Sequence, residues 1–218
     1  MHSFANGLSV SANAVLTGNG TISGMVTVLS GGKLIPGLPQ SGIGKMVLSN
    51  SPALQGAVVM EISKNGVTLT NDQLQVIAPL AYGGSLIVSN VGPTTLGIGD
   101  RFPLFSANSF SGAFSVISLP PLPAGLNWTN KLIVDGSIEV IAGPKFTSVT
   151  LSGTNLIFTG TGGTPNTSYT VLSAINVTLP LSSWMSIAAN QFGSDGGFSF
   201  TNAILPGEPQ RFFRIRTP

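Results

Sequence analysis

The acidic side chains of this chain are Glu61, Asp72, Asp100, Asp135, Glu139, Asp195 and Glu208. Two carboxylates facing one sugar bond are the machinery of glycoside hydrolysis. One protonates the leaving oxygen and the other serves as nucleophile or base, about 5 Å away for retention or roughly 6.5–9.5 Å for inversion. Glu61 and Asp72 are the pair the sequence offers. They flank one hairpin-like segment, and Glu61 points opposite to Met60 and Ile62, hence outward. A plainer reading competes: Asp72 caps a turn by accepting backbone N–H bonds, and Glu61 is a solvated strand residue. Asp100 follows Gly99, Asp135 precedes Gly136 and Asp195 precedes Gly196. All three are turn residues by type.

The aromatic side chains suggest a second chemistry, the stacking of flat rings on sugars. Tyr82 and Trp128 are the candidate ligand-binding residues, Trp128 because it lies near a turn in Leu126-Asn127-Trp128-Thr129. Trp184, between Leu181 and Ile187, is expected to pack a core instead. Nucleophilic catalysis lacks its parts. His2 is the one histidine, and there is neither a G-x-S-x-G elbow nor a cysteine. Gly160-Thr161-Gly162-Gly163 lacks the lysine and the following helix of a phosphate loop. No cofactor and no metal are expected, since calcium-binding β-rolls need a repeated G-G-x-G-x-D pattern that is absent. Arg211, Arg214 and Arg216 are too few for nucleic acid. Arg214 and Arg216 share one face of a final strand while Phe213 and Ile215 share the other.

Such residues must be held by elements, and composition restricts which. Only 9 Lys and Arg and 7 Asp and Glu occur among 218 residues, beside 28 Gly and 15 Pro. A chain this poor in charge is not a coiled coil, a charged disordered tail or a nucleic-acid arm. Gly, Ser, Thr, Asn or Pro interrupts every apolar run, so no membrane insertion is expected. The richness in Ser, Thr, Asn and Gly is that of exported bacterial β-proteins. The expected location is therefore extracellular or the cell surface. The first residues carry no leader and read as the middle of a repeat, as in a piece of a longer secreted protein.

Period-two alternation bounded by Gly or Asn-Gly marks strands at Leu8–Val10, Val26–Val28, Met46–Leu48, Val58–Ile62, Leu74–Val76 and Leu86–Val88. The one weak helical signal is near Leu181–Gln191, where Pro180, Ser182 and Ser183 would start a single turn. Sliding the chain by eighteen residues brings Leu8, Val10 and Leu16 onto Val26, Val28 and Leu34, and Met46 and Leu48 follow Val26 and Val28 by twenty. That period is one coil of a β-solenoid, whose inward side chains are buried only by neighbouring coils. From Glu61 to Leu104 the pattern loosens. Lys64-Asn65-Gly66 and Tyr82-Gly83-Gly84-Ser85 read as hairpin turns of a cap or flatter sheet. After Ala142-Gly143-Pro144 a new strand set begins. The expected fold is all-β: a right-handed parallel β-solenoid over residues 1–142, then a small antiparallel β-sandwich over 143–218.

The segment Gly18-Asn19-Gly20-Thr21-Ile22-Ser23-Gly24, with Val26-Thr27-Val28, Ser30-Gly31-Gly32 and Leu34-Ile35-Pro36-Gly37, resembles the autotransporter-associated β-strand repeat of passenger domains. Asn71–Val76 with Gly83–Val88 resembles that family's following strand pair, and Gly99–Phe102 with Leu104-Phe105 the turn and strand after it. The tail from Tyr169 through Trp184 to Arg214 resembles a small C-terminal β-module of secreted proteins from Verrucomicrobia-like bacteria. The resemblance implies a secreted or surface β-solenoid, a scaffold type found in adhesins and beside polysaccharide-degrading domains. The chain is too short to include the membrane barrel that ends an autotransporter.

The expected function is a non-catalytic, adhesin-like scaffold module. The alternatives are a polysaccharide-active enzyme, either hydrolase or lyase, using Glu61 and Asp72, and a carbohydrate-binding module using Trp128. Polysaccharide or cell-surface glycans are the expected partners. Self-association through solenoid edges is open as well.

Overall fold

The computed structural model describes residues 1–38 and 42–217. The chain divides into two compact units, Met1–Ile141 and Ala142–Pro218.

The first unit winds through three faces in turn. Its coils are β1 (His2–Ser3), β2 (Leu8–Val10), β3 (Val15–Gly18); β4 (Gly20–Ser23), β5 (Val26–Val28), β6 (Lys33–Pro36); β7 (Lys45–Leu48), β8 (Ala53–Leu54), β9 (Ala57–Asn65). A hairpin strand, β10 (Thr68–Asn71), precedes β11 (Gln73–Val76), β12 (Leu80–Tyr82) and β13 (Ser85–Asn90). After β14 (Arg101–Pro103) come β15 (Phe105–Ser106), β16 (Phe110–Gly112) and β17 (Val116–Ser118). One face is the sheet β1-β4-β7-β11-β15, another is β3-β6-β9-β13-β17, and the third holds β2-β5-β8 and the pair β12-β16. Every ladder along these orders is parallel. This is the expected β-solenoid.

Alternation explains why it holds. β9 reads apolar-inward at Val58, Met60 and Ile62, each 0% exposed. Registered partners stack inward residues into columns, one of which runs Leu16, Leu34, Val58, Leu86, Ile117 and another Ile22, Leu48, Val76. No coil buries these side chains alone, so stacking supplies the core.

The eighteen-residue slide matches the register of the first two coils, with Leu8 beside Val26 and Leu16 beside Leu34. The next step departs from expectation. Met46 pairs with Gly20 and Leu74, not with Val26. The coils lengthen at one corner, between the β3-type and β1-type faces. That corner is Asn19 alone after β3, residues 37, 38 and 42–44 among those described after β6, the β10 hairpin after β9, and residues 91–104 after β13. The turn at Lys64-Asn65-Gly66 is a true antiparallel hairpin. Tyr82-Gly83-Gly84-Ser85 is not: β12 and β13 lie in different sheets, and the glycines turn a solenoid corner. β11, β12 and β13 thus continue the stack. The cover on the last coil is built from β14, β18 (Leu126–Lys131), a four-residue helix α1 (Leu132–Asp135) and β19 (Ser137–Ala142).

The second unit has two antiparallel sheets. Strands β20 (Lys145–Ser152), β21 (Asn155–Thr161) and β24 (Phe198–Ala203) form one, in the order β20-β21-β24. Strands β22 (Ser168–Ala174), β23 (Met185–Gln191) and β25 (Phe212–Arg216) form the other, in the order β23-β22-β25. Phe158, Tyr169, Val171, Phe192, Phe198 and Phe200 make its core. Phe158 stacks on Phe200 at 4.6 Å between ring centroids. The weak helical signal near 181–191 resolves into a single 3₁₀ turn, Leu181–Ser183, followed by strand β23. The alternation on β25 places Phe213 and Ile215 against the core and leaves Arg214 and Arg216 exposed.

Candidate functional site

The corner where coils lengthen gathers Asn19, Glu61 and Asp72. Asn19 Oδ1 accepts the backbone N–H of Lys45 at 3.0 Å. Asp72 is 1% exposed. Its Oδ1 accepts the N–H of Gly44 at 2.8 Å, and its Oδ2 accepts the N–H of Glu61, also at 2.8 Å. Burial raises the Asp72 pKa to about 6; the two N–H donors pull it back only in part, and the Glu61 charge adds to the rise. A pKa near 6 suits a general acid. The geometry does not, because both oxygens already hold backbone donors inside the fold. Glu61 lies on β9 between the fully buried Met60 and Ile62, half-exposed and facing outward. The two candidate residues are therefore neighbours, with Asp72 engaged in tying residue 44 to β9.

Close packing explains the glycines here. A Cβ on Gly37 would come within 2.9 Å of Asp72 Oδ1, and one on Gly44 would collide with the Asn19 side chain. Further along the chain, Asp100 plays a comparable part. Its carboxylate accepts the Gly97 N–H at 2.7 Å and pairs with Lys64 Nζ at 2.8 Å. On the cover, Asp135 is held below the usual carboxylate range by the Ser137 hydroxyl and by Arg101, whose guanidinium lies 2.9 Å away. The sequence reading took these residues singly as turn formers and did not foresee the ion pairs, which join positions about 35 residues apart.

Tyr82 presents no ring to solvent. It is 6% exposed, stacks on Phe110 at 5.8 Å and meets Phe105 edge-on at 5.2 Å. Its hydroxyl donates to the Leu132 carbonyl at 2.9 Å, and burial pushes the phenol pKa well above its ordinary value. As a ligand platform Tyr82 is thus displaced by its role under the cover. Trp128 is half-buried: its indole N–H donates to the Pro120 carbonyl at 2.9 Å and its ring lies 6.2 Å from Phe102.

Two surfaces stand out beyond these residues. The first is a groove of about 260 Å³ along the corner between the β2-type and β3-type faces, lined by Ser30, Lys33, Gln55, Gly56, Ser85 and Ser115 among others. Its floor is a backbone ladder in which Ala57 N–H donates to Gly32, Ser85 to Gly56 and Ser115 to Gly84 at 2.7–3.0 Å.

The second surface is the end of the small unit where β22 passes to β23. Ile175, Val177, Leu179, Leu181 and Met185 are all exposed, Met185 at 68%. The loop is ordered by its own bonds. Asn176 Oδ1 accepts the N–H and hydroxyl of Thr178 at 2.9 Å, and the Trp184 indole donates to the Leu179 carbonyl at 3.1 Å. Gln210 Nε2 donates to the Ile175 carbonyl at 3.0 Å, which ties the loop before β25 to this end. Trp184, expected in the core, therefore stands among these residues. From Phe146 to Ser194 the chain carries no charged side chain, a compositional signal that marks this end. Among the described residues no group of three or more His, Cys, Asp or Glu could hold a metal ion, and no helix is long and apolar enough to cross a membrane. The chain matches no protein-family model, and comparison with curated proteins returned no match.

Proposed function

We propose that this chain is a non-catalytic, adhesin-like scaffold of a secreted or cell-surface bacterial protein, in which a β-solenoid carries a small β-sandwich. The observation that carries the reading is the state of Asp72. The Asp72 carboxylate, 1% exposed at the lengthened corner, accepts a backbone N–H on each oxygen, so it joins loop to coil and is shut off from an incoming substrate. The likeness of Gly18–Gly37 to autotransporter repeats supports the surface location. The ordered, uncharged apolar end around Leu181 and Met185 supplies the contact surface.

The experiment is reducing-sugar and unsaturated-product release from a panel of β-glucans and pectins by the full chain. No release above a heat-treated sample is expected. Release that Glu61→Gln abolishes overturns the scaffold reading in favour of an enzyme. Glycan binding without hydrolysis is a second reading, favoured by the hydroxyl and amide lining of the 260 Å³ groove. Retention on an insoluble glycan that Gln55→Ala removes, with release still absent, would establish it.

A further inference from the structure

The loop that joins β22 to β23 in the small unit is exposed at every residue from 175 to 183. Ile175 is 62% exposed, Val177 58%, Leu179 37% and Leu181 40%, and Met185 at the start of β23 is 68% exposed. An apolar side chain exposed singly needs no explanation, but five on one loop and its flank make a patch. The polar groups of the same loop are turned back on it. Asn176 Oδ1 holds the N–H and the hydroxyl of Thr178. The Leu179 N–H goes to the Asn176 carbonyl, the Ser183 N–H to Pro180 and the Trp184 N–H to Leu181. The Trp184 indole donates to the Leu179 carbonyl, and the Ile175 carbonyl takes Gln210 Nε2.

This arrangement says which partner fits. A protein interface carries roughly one hydrogen bond per 100–200 Å², made by groups that face outward. Here those groups are satisfied inside the loop, as a medium without hydrogen-bonding partners requires. Charge follows the same rule. No charged side chain lies between Phe146 and Ser194. On the loop before β25, Glu208 and Arg211 face each other at 3.7 Å, and Arg211 Nε donates to the Ser173 hydroxyl at 2.7 Å. Ionised groups are what hydrocarbon excludes most strongly. Trp184, beside the patch, has the amphipathic ring that favours the boundary between membrane and water. The hydroxyls of Ser182 and Ser183 suit the headgroup level.

We propose that this loop is an anchor for a lipid surface. Ile175, Val177, Leu179, Leu181 and Met185 enter the boundary between headgroups and acyl chains, with Trp184 at the headgroups. The chain then lies on the bilayer and does not span it. Because the inserted side chains are apolar, zwitterionic lipid suffices. The proposal rests on the scaffold reading's choice of this end as the contact surface and names what that surface meets. The two fail separately. Sugar release bears on catalysis, and retention on an alkyl-coated surface without vesicle binding would remove the lipid partner while leaving the contact surface in place.

The test is flotation of the full chain with vesicles of phosphatidylcholine, alone or mixed with phosphatidylglycerol. Binding to both, little changed by high salt, is expected. Leu181→Lys combined with Met185→Lys should lower the partition constant at least about tenfold. Val67→Lys, which charges a 97% exposed apolar residue in the β10 hairpin turn, should leave it unchanged. Tryptophan quenching by acyl-brominated phosphatidylcholine gives a reading on the unaltered chain, free of folding effects, and Trp184→Phe should remove most of it. Absence of flotation, flotation without quenching, an equal loss in Val67→Lys, or binding confined to the anionic vesicles and abolished by salt overturns the proposal. A dimer that does not float, and that the double lysine variant dissociates, overturns it in favour of a second copy as the occupant.

Discussion

Asp72 and Glu61 are joined through the backbone, not as paired acids. Asp72 Oδ2 accepts the Glu61 N–H at 2.8 Å, and the Glu61 carbonyl accepts the Asp72 N–H at 2.8 Å. With Oδ1 on Gly44, this reciprocal pair anchors Gly44 and the β10 hairpin to one coil. Asp100 does the same for the stretch after β13, through the Gly97 N–H and Lys64.

Asp72→Ala leaves the N–H groups of Gly44 and Glu61 without their acceptor. Each lost partner of this kind costs about 1–3 kcal/mol, so a loss of roughly 2–6 kcal/mol is expected in urea unfolding. Asp72→Asn keeps one acceptor oxygen but turns an NH₂ toward a donor, and it should fall between the alanine variant and the unaltered chain.

Stability should also depend on pH through this residue. The folded pKa is about 6, raised from the ordinary 3.8. Between those values the folded state binds the proton more tightly, so its stability falls as pH rises from about 4 to about 6. Above pH 6 the charge is buried in the folded state, at a cost of about 3 kcal/mol; below pH 4 both states are protonated and the contribution vanishes. Unfolding curves across this window should show the slope, and Asp72→Asn should remove it.

Gly44→Ala places a Cβ where the Asn19 side chain and the Gly37 Cα now sit. Displacing Asn19 also frees the Lys45 N–H. Overpacking of this kind costs about 1–3 kcal/mol, and thermal unfolding should report the loss.

Tyr82→Phe keeps the ring contacts with Phe105, Phe110 and Phe114 and removes only the hydrogen bond to Leu132. A cost of about 1 kcal/mol is expected, against roughly 3–5 kcal/mol for Tyr82→Ala. If both variants unfolded like the parent chain, the ring would have no part in holding the cover.

The apolar end of the small unit should dominate adsorption. Leu181→Lys combined with Met185→Lys changes exposed positions only, so folding should persist while retention on an alkyl-coated surface drops. Unchanged retention would remove this end as the contact surface.

The sequence disclosed the coils best where the corners are short. Only Asn19 separates β3 from β4, so an eighteen-residue slide finds the true partners. It missed Met46 because residues 37–44 intervene, and insertion length is invisible to a fixed-period search. Tyr82 looked like a surface aromatic because the residues that bury it, Phe110 and Phe114 of the last coil and Leu132 of the cover, lie about 30 to 50 positions later. Trp184 looked like a core residue from Leu181 and Ile187, yet of the two only Ile187 packs against the core, while Leu181 is exposed. The Asp72 clamp was foreseeable as a turn cap by residue type; its two donors, 28 and 11 residues away, were not.

The most direct test of the account is amide hydrogen exchange at Gly44 and Glu61. Both N–H groups should be strongly protected in the unaltered chain, and both should exchange rapidly in Asp72→Ala while Val58 and Leu86 stay protected. Fast exchange at Gly44 and Glu61 with Asp72 intact would contradict the clamp, and would return its carboxyl to the list of groups free for chemistry.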